Sequence, residues 1–204
     1  MIVLISAFLL LSAFSCGGGN KANSTSEQSE ETAVNVPQFD ADSAYLYVKN
    51  QVDFGPRVPN TKEHVACGNY LAGQLEAFGA QVTNQYADLI AYDGTLLKAR
   101  NIIGSYKPES KKRIALFAHW DTRPWADNDP DEKNHNTPIL GANDGASGVG
   151  ALLEIARLVN QQQPELGIDI ILLDAEDYGA PQFYTGQHKE EFWCLGSQYW
   201  ARNP

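Results

Sequence analysis

Basic residues are scarce in this chain. Fifteen Lys and Arg stand against 25 Asp and Glu, leaving a formal charge of −10 over 204 residues. Nucleic-acid binding rests largely on Lys and Arg contacts to phosphate, so the balance argues against a nucleic-acid partner. Cysteine is sparse as well. Cys16, Cys67 and Cys194 are too few for a disulfide framework. No apolar run reaches the roughly 20 residues that a membrane-spanning helix needs. No nucleophile-elbow pattern occurs, which disfavours a serine hydrolase, and no internal repeat appears. What remains is 43% hydrophobic and 20% charged, enough material for one α/β domain with a real core.

The first residues are a different material. Ile2–Leu11 is almost entirely apolar, and small residues and Cys16 follow, then Gly17-Gly18-Gly19. A short apolar stretch ending in small residues and a Cys reads as a lipoprotein export signal over residues 1–15, with Cys16 lipidated after cleavage. No Lys or Arg precedes the run, which departs from the usual pattern. Residues 16–38 are rich in Ser, Thr, Asn, Glu and Gln without apolar periodicity, so they read as a flexible tether. The expectation is a lipid-anchored protein of a bacterial cell envelope, facing the periplasm. Residues 39–204 form the domain.

Helical character runs over Phe39–Val52, with Asp40 and Asp42 as possible N-caps, and stops at Gly55-Pro56. A second helix covers Thr61–Phe78, where Cys67, Tyr70, Leu71, Gln74, Leu75 and Phe78 share one face and Gly79 closes the end. Cys67 on that face reads as a reduced core thiol. Two extended stretches, Gln81–Ala91 and Leu96–Tyr106, flank an Asp93-Gly94 turn and predict an antiparallel hairpin. Arg113–Ala118 and Ile168–Leu173 are nearly continuous apolar runs, which suit strands covered on both faces. Between them Val149, Leu152, Leu153, Ala156 and Val159 make a helical stripe. Strand, helix, strand in that order is a βαβ unit with parallel strands. The predicted class is α/β, with a mixed, largely parallel sheet, an N-terminal antiparallel hairpin and helices on both faces.

In open α/β sheets, ligands bind beyond the carboxyl ends of the strands. His119-Trp120-Asp121 follow the first strand of the unit, and Asp174-Ala175-Glu176-Asp177 follow the second. Gly141-Ala142-Asn143-Asp144-Gly145-Ala146-Ser147-Gly148 leads into the crossover helix. Three segments therefore deliver carboxylates and an imidazole to one edge. Acidic groups gathered there repel one another unless a cation is present. Mixed His and carboxylate ligands suit a catalytic zinc. Each piece has a plainer reading: Asp144 as a helix N-cap, His119 as a core histidine, Glu176-Asp177 as a solvated loop. The combination is what carries the metal-site reading.

These motifs, in this order and followed by Leu195-Gly196-Ser197, resemble the zinc aminopeptidase superfamily, which includes the glutaminyl cyclases. Phe54-Gly55-Pro56-Arg57-Val58-Pro59 and the block from His119-Trp120-Asp121-Thr122-Arg123-Pro124-Trp125 to Ala126-Asp127 most resemble the bacterial cyclases of the animal-like type. The resemblance runs from about Phe39 to the last residue. It implies that Asp144 and Asp177 are metal ligands and that Glu176 is the general acid/base. The peptidases usually carry Glu-Glu where this chain has Glu176-Asp177, a departure that bears on Asp177. His119 and Asp121 are either metal ligands, as His is in two-zinc peptidases, or orienting groups beside a single zinc. Trp193 is the candidate pocket wall. One zinc is expected for a cyclase and two for an aminopeptidase.

The implied reaction converts an N-terminal Gln of peptides or proteins to pyroglutamate with release of ammonia. A zinc aminopeptidase would use the same glutamate on water, so Glu176 alone does not separate the two. A non-enzymatic, lipid-anchored binding protein is the alternative of another kind. In the resembled family a further ligating His and a catalytic Asp lie downstream of Pro204. The expectation is therefore an N-terminal portion, inactive as it stands. Asp127, Asp129 and Asp131 alternate as in a calcium loop, but Glu132 and Pro138 occupy the positions of the needed Gly and Glu. His64, His135 and His188 read as outside the strand-end setting.

Overall fold

The structure is a computed structural model that describes residues 35–204. The predicted export signal, Cys16 and all but the last residues of the predicted tether lie outside the described residues.

Helix α1 (Ala41–Val52) starts where Asp40 accepts hydrogen bonds from the Asp42 and Ser43 amides, satisfying donors that a helix start leaves free. Helix α2 (Lys62–Ala77) is capped the same way by Thr61, which accepts from the His64 amide. Gly79, with φ of 80°, ends α2 in the left-handed conformation that glycine adopts without strain. The predicted apolar face is the buried one: Cys67, Leu71 and Leu75 are fully covered. Cys67 is a free thiol, and burial pushes its pKa up to about 12, so it is an inert core group.

Strands β1 (Gln81–Ile90) and β2 (Leu96–Tyr106) form the predicted antiparallel hairpin, in register from Gln81–Ser105 to Ile90–Leu96. Its turn is held by the Thr95 amide donating to Asp93 Oδ1, with Gly94 at φ 85°. Strand β3 (Arg113–His119), helix α3 (Ser147–Gln161) and strand β4 (Gly167–Leu173) make the βαβ unit, and β3 runs parallel to β4. The described sheet is mixed, in the order β1-β2-β4-β3, with β2 antiparallel to β4.

Helices lie on both faces. Val149, Leu152, Leu153, Ala156 and Val159 of α3 join Leu71 and Leu75 of α2 over Ile102, Ile170 and Leu172 in the main core. On the opposite face a smaller cluster of Ala91, Leu97, Ala99 and Ala175 packs with Leu195, the first residue of helix α4 (Leu195–Arg202). The predicted cover on both faces holds for β4, whose residues are nearly all buried. It does not hold for β3, where Ile114 and Phe117 are 48% and 46% exposed. β3 is an edge of the described sheet, with β4 as its partner, so its apolar run has a neighbour on one side. An apolar run reports composition, not a strand's place in the sheet.

Candidate metal centre

His119 pairs with Leu173 in the parallel ladder, and the Trp120 amide extends it by donating to the Leu173 carbonyl. β3 and β4 therefore end at one level, and the residues after each share the same edge. Chain reversal after β4 turns on Ala175, a left-handed residue at φ 51°. That turn is anchored by Asp121, which is fully buried. The Glu176 amide donates to Asp121 Oδ1 and the Asp177 amide to Asp121 Oδ2, both at 3.1 Å. One carboxylate from the end of β3 thus fixes the backbone of the two acidic residues after β4.

The start of α4 closes the turn from the other side. The Cys194, Leu195 and Gly196 amides donate to the Glu176, Ala175 and Asp174 carbonyls, each at 3.0 Å. A Cβ on Gly196 would stand 2.0 Å from the Asp174 carbonyl oxygen, so no larger residue fits. This is the physical content of the Leu195-Gly196-Ser197 motif.

Asp144 lies in a kinked turn, Ala142–Ala146, where it and Gly145 leave helical geometry. Gly145 has φ 92°, and a Cβ there would meet the Asp121 carbonyl oxygen at 2.8 Å and the His119 ring at 3.3 Å. The glycine lets the turn press against the strand end. Asp144 does not cap α3, which begins after Ala146 without any side-chain cap. Its Oδ1 instead lies 2.9 Å from His119 Nε2. The plainer reading of Asp144 fails on this geometry.

His119, Asp144 and Asp177 each bring one ligand atom to within 4.8 Å of the others. Asp177 Oδ2 is buried and has no hydrogen-bond partner. His119 Nδ1 is also buried; Asp121 Oδ1 at 3.4 Å is too far for a good hydrogen bond. Electrostatics point the same way. Burial, then the charges of Asp121 and Asp144, push Asp177 up to about 6. Burial lowers the pKa of His119, but Asp121, Glu176 and Asp177 outweigh it and hold it at about 9. Glu176 is raised, first by burial. Acids pushed up and a histidine pushed up by its acidic neighbours mark a site short of positive charge. Oxygen and nitrogen donors converging with a buried oxygen unsatisfied fit a zinc ion.

The remaining sequence candidates fall around this cluster. Arg123 pairs with buried Asp127, which also accepts the Gln182 amide. Arg123 Nη1 donates to the Asp177 carbonyl at 3.1 Å. Asp129 accepts the Asp131 amide, and Asp131 caps the short turn at Glu132. A cleft of about 300 Å³ lies beside Asp144, lined by Arg123, Trp125, Asp127, Asp129 and Ile139 among others. Trp193 does not line this cleft. Its ring covers Gly179, with the Arg123 guanidinium 4.7 Å from its centre.

His64 corrects the sequence reading that set it apart from the strand ends. It is buried, its Nε2 lies 2.8 and 2.9 Å from the two oxygens of Asp174, and its ring stacks on Trp120 at 4.3 Å. Asp174 also accepts the Arg100 and Ala175 amides, and its pKa is raised by burial. These residues form a polar floor directly beneath the strand ends. The apolar face of α2 hid His64 from periodicity, though Asp174 heading a run of acids at a strand end was a signal.

The model of peptidase family M28 matches residues 101–204. A glutaminyl cyclase of Bacteroides thetaiotaomicron, solved with N-acetylhistamine bound, is 94% identical with a TM-score of 0.83, over 83% of this chain and 58% of that one. A structure named as a leucine aminopeptidase precursor from the same organism is also 94% identical with a TM-score of 0.83, over 84% of this chain and 59% of that one. A glutaminyl cyclase of Tannerella forsythia is 58% identical with a TM-score of 0.80, over 82% of this chain and 57% of that one. The chain thus spans less than two thirds of these solved chains, and about a third or less of the curated relatives it matches.

Proposed function

The chain belongs to peptidase family M28, and we propose that the protein it forms is a zinc-assisted glutaminyl cyclase, an acyltransferase acting on N-terminal Gln. The observation that carries the chemistry is the convergence of His119, Asp144 and Asp177 beside half-buried Glu176. The likeness to solved cyclases, with the Phe54–Pro59 and His119–Asp127 blocks, supports cyclisation over hydrolysis.

Asp144 and Asp177 hold the metal, with His119 either joining them or orienting Asp144 by hydrogen bond. A zinc ion there supplies Lewis-acid polarisation of the γ-amide carbonyl. Glu176 accepts a proton from the substrate α-amine as its nitrogen attacks the γ-carbon. It returns that proton to the amide nitrogen, which leaves as ammonia when the C–N bond breaks. A carboxylate whose pKa is raised by burial suits both transfers. Asp121 keeps Glu176 in place through the backbone. Arg123 does the same for Asp177, and the cleft beside Asp144 offers room for the substrate.

The second reading is an aminopeptidase, favoured by the name of the other solved Bacteroides structure. A paired assay on the full-length protein separates the two. A cyclase releases ammonia from a Gln-initiated peptide and leaves the pyroglutamyl peptide whole. Faster release of free Leu from a Leu-initiated peptide would sink the cyclase reading.

We also propose that the protein is anchored in a bacterial envelope through lipid on Cys16, on the strength of the apolar Ile2–Leu11 run and the small residues before that cysteine. Cys16→Ala should move the protein out of the membrane fraction. Unchanged detergent partitioning would place the anchor elsewhere.

A further inference from the structure

Arg57 is fully buried, yet its guanidinium makes its hydrogen bonds to main-chain carbonyls rather than to a carboxylate. Burying a cation is costly unless its donors are all used. Nε donates to the Trp120 carbonyl at 3.3 Å, Nη1 to Leu140 and Nη2 to Gly141 at 2.9 Å. The Arg57 carbonyl in turn accepts the Thr122 amide at 3.3 Å. Trp120 follows His119, and Gly141 opens the turn that carries Asp144. The residue therefore ties together the two segments whose His119 Nε2 and Asp144 Oδ1 lie 2.9 Å apart.

We infer that Arg57 is a positioning residue of the metal centre, setting the Asp144 turn against the end of β3. This rests on the metal-site reading above. The planar fork of arginine holds three carbonyls in fixed directions, and a lysine ammonium, a point charge on a flexible stem, does not. The backbone leaves little slack. Gly141 is left-handed at φ 57°, and a Cβ on it would reach 2.4 Å from Thr122 and 3.2 Å from Arg57 Nη2. Arg57 touches neither the ligand atoms nor the cleft beside Asp144, so its effect passes through the Gly141 turn.

The test uses full-length Arg57→Lys. Zinc affinity is read by competition with a chromogenic chelator, and site geometry by the visible bands of the cobalt-substituted protein. Zinc affinity should fall about 10- to 100-fold, as for other groups that orient ligands, and the cobalt bands should shift while the metal-free protein stays folded. A folded variant with wild-type zinc affinity and unchanged bands overturns the inference. A wild type that takes up no zinc overturns the metal-site reading and this inference with it. Should the lysine variant not fold, wild-type protein carrying ¹⁵N-arginine gives the answer. Its Arg57 side-chain N–H signals should shift on adding zinc, and signals that stay in place overturn the proposal.

Discussion

Glu176 and Asp177 are adjacent and held by the same Asp121 carboxylate, and the proposed mechanism gives them different tasks. Asp177 brings one oxygen to the cluster, and its Oδ2 is buried without a hydrogen-bond donor. Glu176 stands half-buried beside it, near His119 and Asp144. Substitution should separate the two roles. Glu176→Gln keeps the volume and the main-chain N–H hydrogen bond to Asp121 but loses the basic lone pair that accepts a proton. Its turnover should fall ~10²–10⁴-fold, with zinc content unchanged by elemental analysis. Asp177→Ala should lose zinc and activity together, because it removes a ligand. A Glu176→Gln enzyme with normal turnover would remove the general base from the mechanism.

At the scale of elements, two buried arginines brace loops that no periodic pattern describes. Arg123 spans the loop after β3 and the loop after β4 through Asp127 and the Asp177 carbonyl. Burial alone would raise the Asp127 pKa, but hydrogen bonds from Arg123 and the Gln182 amide win and hold it below the usual carboxylate value. A depressed folded pKa adds stability above the unfolded value of about 3.9, and that stability is lost as pH falls through the folded one. Asp127→Asn should therefore be less stable near neutrality and show a shallower loss of melting temperature below about pH 4. An acid limb of wild-type steepness would show that Asp127 carries none of it. These braces were not legible in the sequence. The βαβ unit was, because the α3 stripe and the β4 run are local patterns that packing repeats. The strand-end acids were legible because topology fixes where such residues gather. Arg57, Arg123 and the His64–Asp174 contact join residues 54–110 positions apart. For Arg57, its place between Pro56 and Val58-Pro59 was a local hint. The exposure of β3 was equally hidden, since strand order is a property of the sheet.

Over the whole molecule, a chain of net charge −10 concentrates Asp121, Asp144, Glu176 and Asp177 at one edge of the sheet. That arrangement costs stability wherever the carboxylates are ionised without a cation. A ligand that binds the folded state alone returns it as RT ln(1 + [L]/Kd), about 2.7 kcal/mol at a hundredfold excess over Kd. For a domain of this class that is a rise on the order of 5–10 °C in melting temperature. Full-length protein stripped with a chelator should melt lower by that amount, and zinc should restore it. Magnesium should not, because it is bound through hard oxygen ligands and water rather than an imidazole. The Asp144→Ala variant should melt alike with and without zinc, since the added ion no longer finds its cluster. If stripped and zinc-loaded wild type melt together, the acids at the strand ends answer to something other than a metal, and the mechanism built on them falls.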